Sequence, residues 1–157
     1  MTTDVVVQSD DYAVVETDAW LCATPRLAFA LCIYDAVQET GALLHLRIIP
    51  SVSRNPELTD NTLSANLELL ERCQAELRAV NPRAKNLQAK LVAQVDDNAP
   101  ARERCSQLQS FLAAYLVESR IKLVSVAVHM EADVSVRFRP SLAQVTIATS
   151  PPDRTGA

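Results

Sequence analysis

Glycine is the residue that this chain lacks most clearly. Only Gly41 and Gly156 occur among its 157 residues, whereas glycine makes up about 7% of an average protein. Phosphate-binding loops and dinucleotide-binding turns need several closely spaced glycines, because the backbone must approach the phosphate there. The sequence therefore excludes P-loop proteins and dinucleotide-binding proteins of the G-x-G-x-x-G type.

Patterns typical of metal sites are also missing. The two histidines, His45 and His129, stand alone, and no C-x-x-C pair occurs among the cysteines at positions 22, 32, 73 and 105. No zinc-binding spacing exists, so we expect neither a metal nor another cofactor.

Targeting and charge signals are weak as well. The N-terminus has neither the basic region nor the apolar run of a signal peptide, and no apolar stretch is long enough to span a membrane. The net charge of −4 gives no basic surface for nucleic acid or anionic lipid. We therefore expect a cytoplasmic protein with free thiols, no membrane insertion and no nucleic-acid partner.

The length and composition are those of a globular domain. The chain is 48% hydrophobic and 22% charged, and its length suits one domain with its own core. We predict a single domain over residues 1–149, followed by a polar, proline-containing and flexible tail over 150–157.

Apolar runs predict strands in the first fifty residues. The segment Leu27–Tyr34 is apolar at every position, which is typical of a strand buried on both faces, although a short buried helix is the alternative. Asp35 ends this run, and Gly41 lies in the turn before the next strand. The other predicted strands are Val5–Val7, Ala13–Glu16, Trp20–Ala23 and Leu43–Ile49.

Two helices are predicted near residues 59–81 and 99–119, because apolar residues recur there at helical spacing. Thr59 is the predicted N-cap of the first, and Asp97-Asn98 followed by Pro100 opens the second. The two stripes include Cys73 and Cys105, which we expect to be core thiols. The leucines expected to be buried are Leu67, Leu70, Leu108 and Leu112.

The remaining segments predict an α+β fold. A strand at Leu87–Val95 separates the helices, and the apolar period returns to two after residue 121. The segments Ile121–Met130, Asp133–Phe138 and Ala143–Ala148 predict a C-terminal β-meander. Strands in both halves around two helices indicate a mixed sheet with two long amphipathic helices, not a doubly wound parallel fold.

Two neighbouring strands carry a more specific pattern. The first reads Ala30-Leu31-Cys32-Ile33-Tyr34-Asp35, and the second reads Gly41-Ala42-Leu43-Leu44-His45 with Pro50 shortly after it. This pattern resembles the CheD family of chemoreceptor glutamine deamidases, whose Gly-Ser-Cys-Val-Ala-Val strand ends in Asp and precedes a Gly-Gly/Ala-x-x-His strand. The resemblance covers about residues 12–148 and implies a CheD-like fold.

The departures from that family fall on its catalytic positions. Ala28 stands where the family has its nucleophilic cysteine, and Cys22 stands where it has a catalytic threonine. The family's Gly-x-Gly-Ser is here Thr24-Pro25-Arg26-Leu27, and only His45 is retained. Alanine cannot attack an amide, and proline supplies no N–H donor.

The resemblance and its departures together predict a CheD-like protein without deamidase activity. We expect it to act by binding in a chemotaxis-type signalling system, and the resemblance implies chemoreceptor helices or a CheC-like phosphatase as partners. The binding candidates are Pro25, Arg26, Leu27 and His45. One alternative is an active deamidase that uses Cys22 and His45, and another is a structural or oligomeric protein.

Several further polar residues have a structural and a functional interpretation. His45 is either a surviving base or a hydrogen-bonded histidine on a strand, and Cys32 is expected in the core. The Asp96-Asp97 pair is interpreted as a helix N-cap. Arg137 and Arg139 are expected on the outer face of a strand, as solvated charges or as partners for an acidic protein.

Overall fold

The fold consists of β-strands and two α-helices in three layers. The computed structural model describes residues 3–48, 61–83 and 85–151. These residues form nine strands, two α-helices and one short 3-10 turn. In chain order they are β1 (Thr3–Val6), β2 (Asp11–Val15), β3 (Ala19–Ala23), β4 (Ala28–Asp35), β5 (Thr40–Arg47), α1 (Thr62–Val80), β6 (Gln88–Val95), α2 (Ala99–Glu118), β7 (Lys122–Met130), β8 (Asp133–Arg139), the 3-10 turn (Pro140–Leu142) and β9 (Gln144–Ser150).

The strands form two mixed sheets. A central sheet has the order β2-β5-β4-β6-β7, and an outer sheet has the order β1-β3-β8-β9. Each contains one parallel pair, β6 with β7 and β1 with β3, and is otherwise antiparallel. The α+β prediction with mixed sheets is confirmed.

β4 lies in the middle of the central sheet, and all of its residues are buried. Phe29, Leu31 and Ile33 share one core with the two helices, whereas Ala30 and Cys32 share another with the outer sheet. The order of layers is therefore helices, central sheet, outer sheet. The prediction of a strand buried on both faces is confirmed, because the strand separates two cores.

The buried face of α1 differs from the prediction. Leu70 is buried as expected, but Leu67 is 37% exposed, so its predicted burial is wrong. Asn66 takes the inward position instead: its side-chain amide donates to the carbonyl of Arg47 (2.9 Å) and accepts from the backbone N–H of Arg47 (3.2 Å). The buried face of α1 therefore includes a polar residue that is hydrogen-bonded to the end of β5, and is not a purely apolar stripe.

The second helix follows its prediction closely. Its buried residues are Cys105, Leu108, Leu112 and Leu116. The N-cap is Asn98, whose side chain accepts a hydrogen bond from the N–H of Ala101 at 2.9 Å. Thr59, the predicted cap of the first helix, lies outside the described residues, and the described part of that helix is preceded by Asn61.

The predicted C-terminal β-meander is confirmed for β8 and β9, which pair antiparallel, but is wrong for β7. β7 runs parallel to β6 in the central sheet, whereas β8 pairs with β3 and β9 in the outer sheet. The helix α2 returns the chain to the edge beside β6, and the turn at Glu131, with a φ of 65°, then carries it to the other sheet. Period-two alternation predicts three strands but does not say which strands pair.

The chain end departs slightly from the predicted tail. Ser150 belongs to β9 and pairs with Asp133, and residues 152–157 lie outside the described part. Neither described helix is long and apolar enough to cross a lipid bilayer.

Candidate functional site

The segment of residues 24–27 carries the chain from the outer sheet to the central sheet. Pro25 is buried, Arg26 is exposed, and Leu27 is half-buried. Leu27 has a φ of 50°, a left-handed conformation that costs a residue with a side chain about 1–3 kcal/mol. This strained residue lies immediately before Ala28, the position at which the resemblance to the CheD family would require a cysteine.

A buried glutamine holds the crossing in place. The Gln94 side-chain oxygen accepts from the N–H of Leu27 at 2.7 Å, and its amide donates to the carbonyl of Ala132 at 3.1 Å. Gln94 thus ties the β3–β4 crossing to the turn between β7 and β8. It also takes up the backbone N–H next to Ala28.

An open groove of about 420 Å³ lies beside this crossing. β3 pairs with β8 only as far as the Ala23–Val136 pair, and the chain then leaves the outer sheet at residue 24. The groove follows from this divergence. Its lining consists of Thr24, Pro25 and Arg26 on one side and Asp133, Val134, Ser135, Ala148, Thr149 and Ser150 on the other.

Arg26 is the positive group of this groove, and Asp133 is the negative one. No hydrogen bond or ion pair joins Arg26 to another described residue. Arg47, in contrast, donates to Asp10 at 2.8 Å, and Arg139 forms an ion pair with Asp18 at 2.5 Å. The Arg26 guanidinium therefore has its full donor fork available for a bound carboxylate or amide.

Ala28 is buried at the start of β4, beside Arg47 of β5 and Gln94 of β6. Its side chain lies on the face that contacts the outer sheet, because Ala30 and Cys32 on the same face pack there. Position 28 itself supplies only a methyl group. Of its two neighbours, Gln94 accepts a hydrogen bond from the N–H of Leu27, and Arg47 forms an ion pair with Asp10. This arrangement offers no nucleophile at position 28.

His45 is 95% buried, since its exposed fraction is 5%, and lies opposite Ala30 in the central sheet. Its Nδ1 lies 3.2 Å from the carbonyl oxygen of Val7. A carbonyl can only accept, so Nδ1 is the donor in this contact. Nε2 is buried and has no hydrogen-bond partner among the described residues.

Cys22 lies on the other side of the outer sheet. Leu21 and Ala23 point into the core between the sheets, so the alternation of a strand directs Cys22 outward, next to Arg137 of β8. The backbone of Val7 separates the two groups: its N–H donates to the carbonyl of Cys22 at 2.8 Å, and its carbonyl faces His45. The imidazole therefore lies on the inner side of the outer sheet and the thiol on its outward face, with backbone between them.

The other cysteines are core residues, as predicted. Burial raises the pKa of the Cys32 thiol strongly and that of Cys73 to about 12, and it also raises the pKa of Cys105. A nucleophilic cysteine needs a depressed pKa and access to substrate. These three thiols have neither property.

The outer face of the outer sheet is already internally paired. Arg137 lies 4.6 Å from the ring centre of Trp20 and forms an ion pair with Asp4 at 3.3 Å. Arg139 pairs with Asp18 in the same region.

Asp97 lies 3.5 Å from Arg102, and the predicted capping role of the Asp96-Asp97 pair belongs to Asn98 instead.

Comparison with known proteins adds no relative. No family model and no curated protein matches this chain. Within the described ranges, no group of three or more His, Cys, Asp or Glu side chains is placed to hold a metal ion. The resemblance to the CheD family stays a prediction.

The structure brings some of the predicted site residues together and leaves others apart. Pro25 and Arg26 line the groove, Leu27 is held beside it, and His45 is buried in the core. Sequence analysis missed Gln94 and the groove residues of β8 and β9. The sequence gives only a weak signal for Gln94, which is the last of three polar residues in the segment Leu87–Val95. The groove depends on strand pairing that the sequence does not specify.

Proposed function

We propose that this protein is a CheD-like binding module of a chemotaxis-type signalling system in the cytoplasm, and that it does not deamidate glutamine. The observation that carries the proposal is the groove beside Ala28, with Arg26, which has no ion-pair partner among the described residues, on its rim. The resemblance supplies the partner class: a Glu- and Gln-rich chemoreceptor helix, or a CheC-like phosphatase.

The groove chemistry suits such a helix. Arg26 can donate two parallel hydrogen bonds to a carboxylate or bind a glutamine carbonyl, and Ser135 and Thr149 offer neutral hydroxyl groups nearby. Pro25 has a fixed φ and is buried, so the rim is preorganised and loses little conformational entropy on binding.

The experiment is a titration of the purified protein with a receptor cytoplasmic fragment and, separately, with a CheC-like protein. Arg26→Ala should weaken binding about tenfold, which corresponds to about 1.4 kcal/mol. Arg83→Ala is the matched control, because Arg83 is an exposed arginine in the connection between α1 and β6, and it should leave affinity unchanged. Absence of binding to both partners, or equal effects of the two variants, would refute the proposal.

The main alternative is a deamidase with a Cys22–His45 pair. Catalysis by such a pair requires the thiol and the base within hydrogen-bond reach of each other. The placement of the two side chains on opposite sides of the outer sheet and the burial of the His45 Nε2 argue against it. A structural or oligomeric role without either partner is the second alternative, and the same titration separates it from the proposal.

A further inference from the structure

β7 is an edge strand of the central sheet. It pairs with β6 over its length and has no second neighbour among the described residues. With nine residues it is the longest of the described strands. Its outer edge therefore presents a row of backbone N–H and C=O groups that can pair with another strand.

The protection of this edge against strand pairing is confined to its first residues, Lys122 and the irregularity at Val124. Natural edge strands carry charges or proline, which discourage association, but residues 123–130 read Leu-Val-Ser-Val-Ala-Val-His-Met and contain neither. Four of these side chains are between 40% and 46% exposed, namely Val124, Val126, Val128 and Met130. The pairing with β6 shifts register so that Val124 has no partner in β6, and this is the only interruption described along β7.

Charges flank the neutral stretch asymmetrically. Arg120 and Lys122 stand at its start, and Glu131 and Asp133 stand at its end. A second β7 that runs antiparallel brings the basic end of each strand towards the acidic end of the other. Like charges are thus kept apart, and opposite charges approach at both ends.

A twofold axis fixes the compatible registers. Residues directly opposite in an antiparallel pair share a face of the sheet. The twofold axis must therefore pass midway between one residue and its own copy on the other strand. Pairing Val126 with itself places Ser125 opposite Ala127 and leaves no charged residue opposite a like charge within 122–130. The exposed side chains of the two Val126 residues then lie side by side on one face of the sheet.

We propose that β7 is a homodimer interface, in which two copies join their central sheets into one continuous sheet through antiparallel β7 pairing. The occupant is a second copy of this chain because the strand is complementary to itself in both apolar pattern and end charges. This interface is separate from the groove at Arg26, and the proposal does not rest on partner binding there.

The test is the molar mass of the purified full chain over a concentration series, measured by light scattering after gel filtration and by sedimentation equilibrium. The wild type should have twice the chain mass. Val126→Lys should have the mass of a single chain, since the twofold axis places the two new ammonium groups against each other. Val37→Lys is the matched control, because Val37 is 79% exposed in the β4–β5 connection, and it should remain dimeric.

Hydrogen exchange gives a second measurement that does not depend on a variant. The amides of residues 123–130 should exchange more slowly as the wild-type concentration rises, whereas those of the other edge strands should not change. A wild type of single-chain mass throughout, or a dimer that persists in folded Val126→Lys, would overturn the proposal. Dimerisation that survives Arg26→Ala separates this result from the fate of the proposed binding function.

Discussion

The two ends of β4 are held in different ways. At the C-terminal end, Asp35 accepts from the N–H groups of Val37 and Gln38, and Gly41 packs under Pro140. At the N-terminal end, the chain crosses between sheets in a strained conformation that one side chain, Gln94, secures. At the end that resembles the CheD pattern, Asp35 and Gly41 each have a structural role, and the end that departs from the pattern borders an open groove.

This difference separates two kinds of resemblance. Asp35 and Gly41 are explained by turn geometry and close packing alone, so their presence speaks for the fold and not for catalysis. Ala28, Pro25 and Arg26 stand at positions that the resemblance assigns to catalysis in the CheD family. Pro25 and Arg26 line the groove, and neither they nor Ala28 supply a nucleophile. Function can differ while architecture persists, because function depends on the site and not on the fold that carries it.

Gly41→Ala tests the C-terminal end and has the largest expected effect. A Cβ at this position would lie 2.5 Å from the Cβ of Pro140 and 2.8 Å from the backbone oxygen of Ile33. We expect the free energy of unfolding to fall by about 3 kcal/mol, because the core must be overpacked to admit the methyl group. Urea unfolding measures this loss, and Val37→Ala in the same connection should change stability by less than about 0.5 kcal/mol.

An equal stability of Gly41→Ala and wild type would mean that the packing between the β4–β5 connection and the 3-10 turn is looser than described. The structural explanation for the retained glycine would then fail.

Gln94→Ala tests the N-terminal end. It leaves the N–H of Leu27 and the carbonyl of Ala132 without their partner, which should cost about 1–2 kcal/mol in urea unfolding. Gln94→Glu retains the acceptor for Leu27 but not the donor to Ala132, and it is expected to separate the two contacts. Stability unchanged in Gln94→Ala would contradict the role of Gln94 as the clamp of the crossing.

Cys32, on β4 between these two ends, makes the strand sensitive to alkaline pH. Burial raises its pKa in the folded state above its ordinary value, so the unfolded chain loses the thiol proton first as the pH rises. Stability is complete below the unfolded pKa and falls above about pH 8.5, with a slope that approaches about 1.4 kcal/mol per pH unit for each such thiol. Cys32→Ala should reduce that slope by one thiol's share in urea unfolding between pH 8 and 10.

The slope of Cys32→Ala is compared with that of wild type, since Cys73 contributes in both. An identical slope in the two proteins would show that Cys32 is accessible to water in the folded state.

Thiol labelling is the smallest perturbation that distinguishes the two faces of the outer sheet. Cys22 is half-buried on the outward face, and the other three cysteines are buried. Under native conditions we expect one thiol to react rapidly with a colorimetric disulfide reagent and three to react only after unfolding. Cys22→Ser should abolish the rapid reaction, and a rapid phase that persists would contradict the assigned orientation.

Much of the fold could be predicted from the sequence because the relevant signals are local. The burial of β4 follows from its uninterrupted apolar run, and α2 follows from the helical spacing of its apolar residues. The pairing of β7 with β6 and the inward position of Asn66 could not be predicted, since both depend on contacts between distant segments. The groove at Arg26 has the same origin, because it arises where β3 leaves β8.

Ammonia release from a glutamine-bearing receptor fragment is the most direct test of the claim that this site binds without hydrolysing. The account predicts no release above the uncatalysed background at protein concentrations where binding is observed, because Ala28 supplies no nucleophile and Cys22 and His45 lie on opposite sides of the outer sheet. Release above background that disappears in Cys22→Ser would contradict the account and establish a working deamidase.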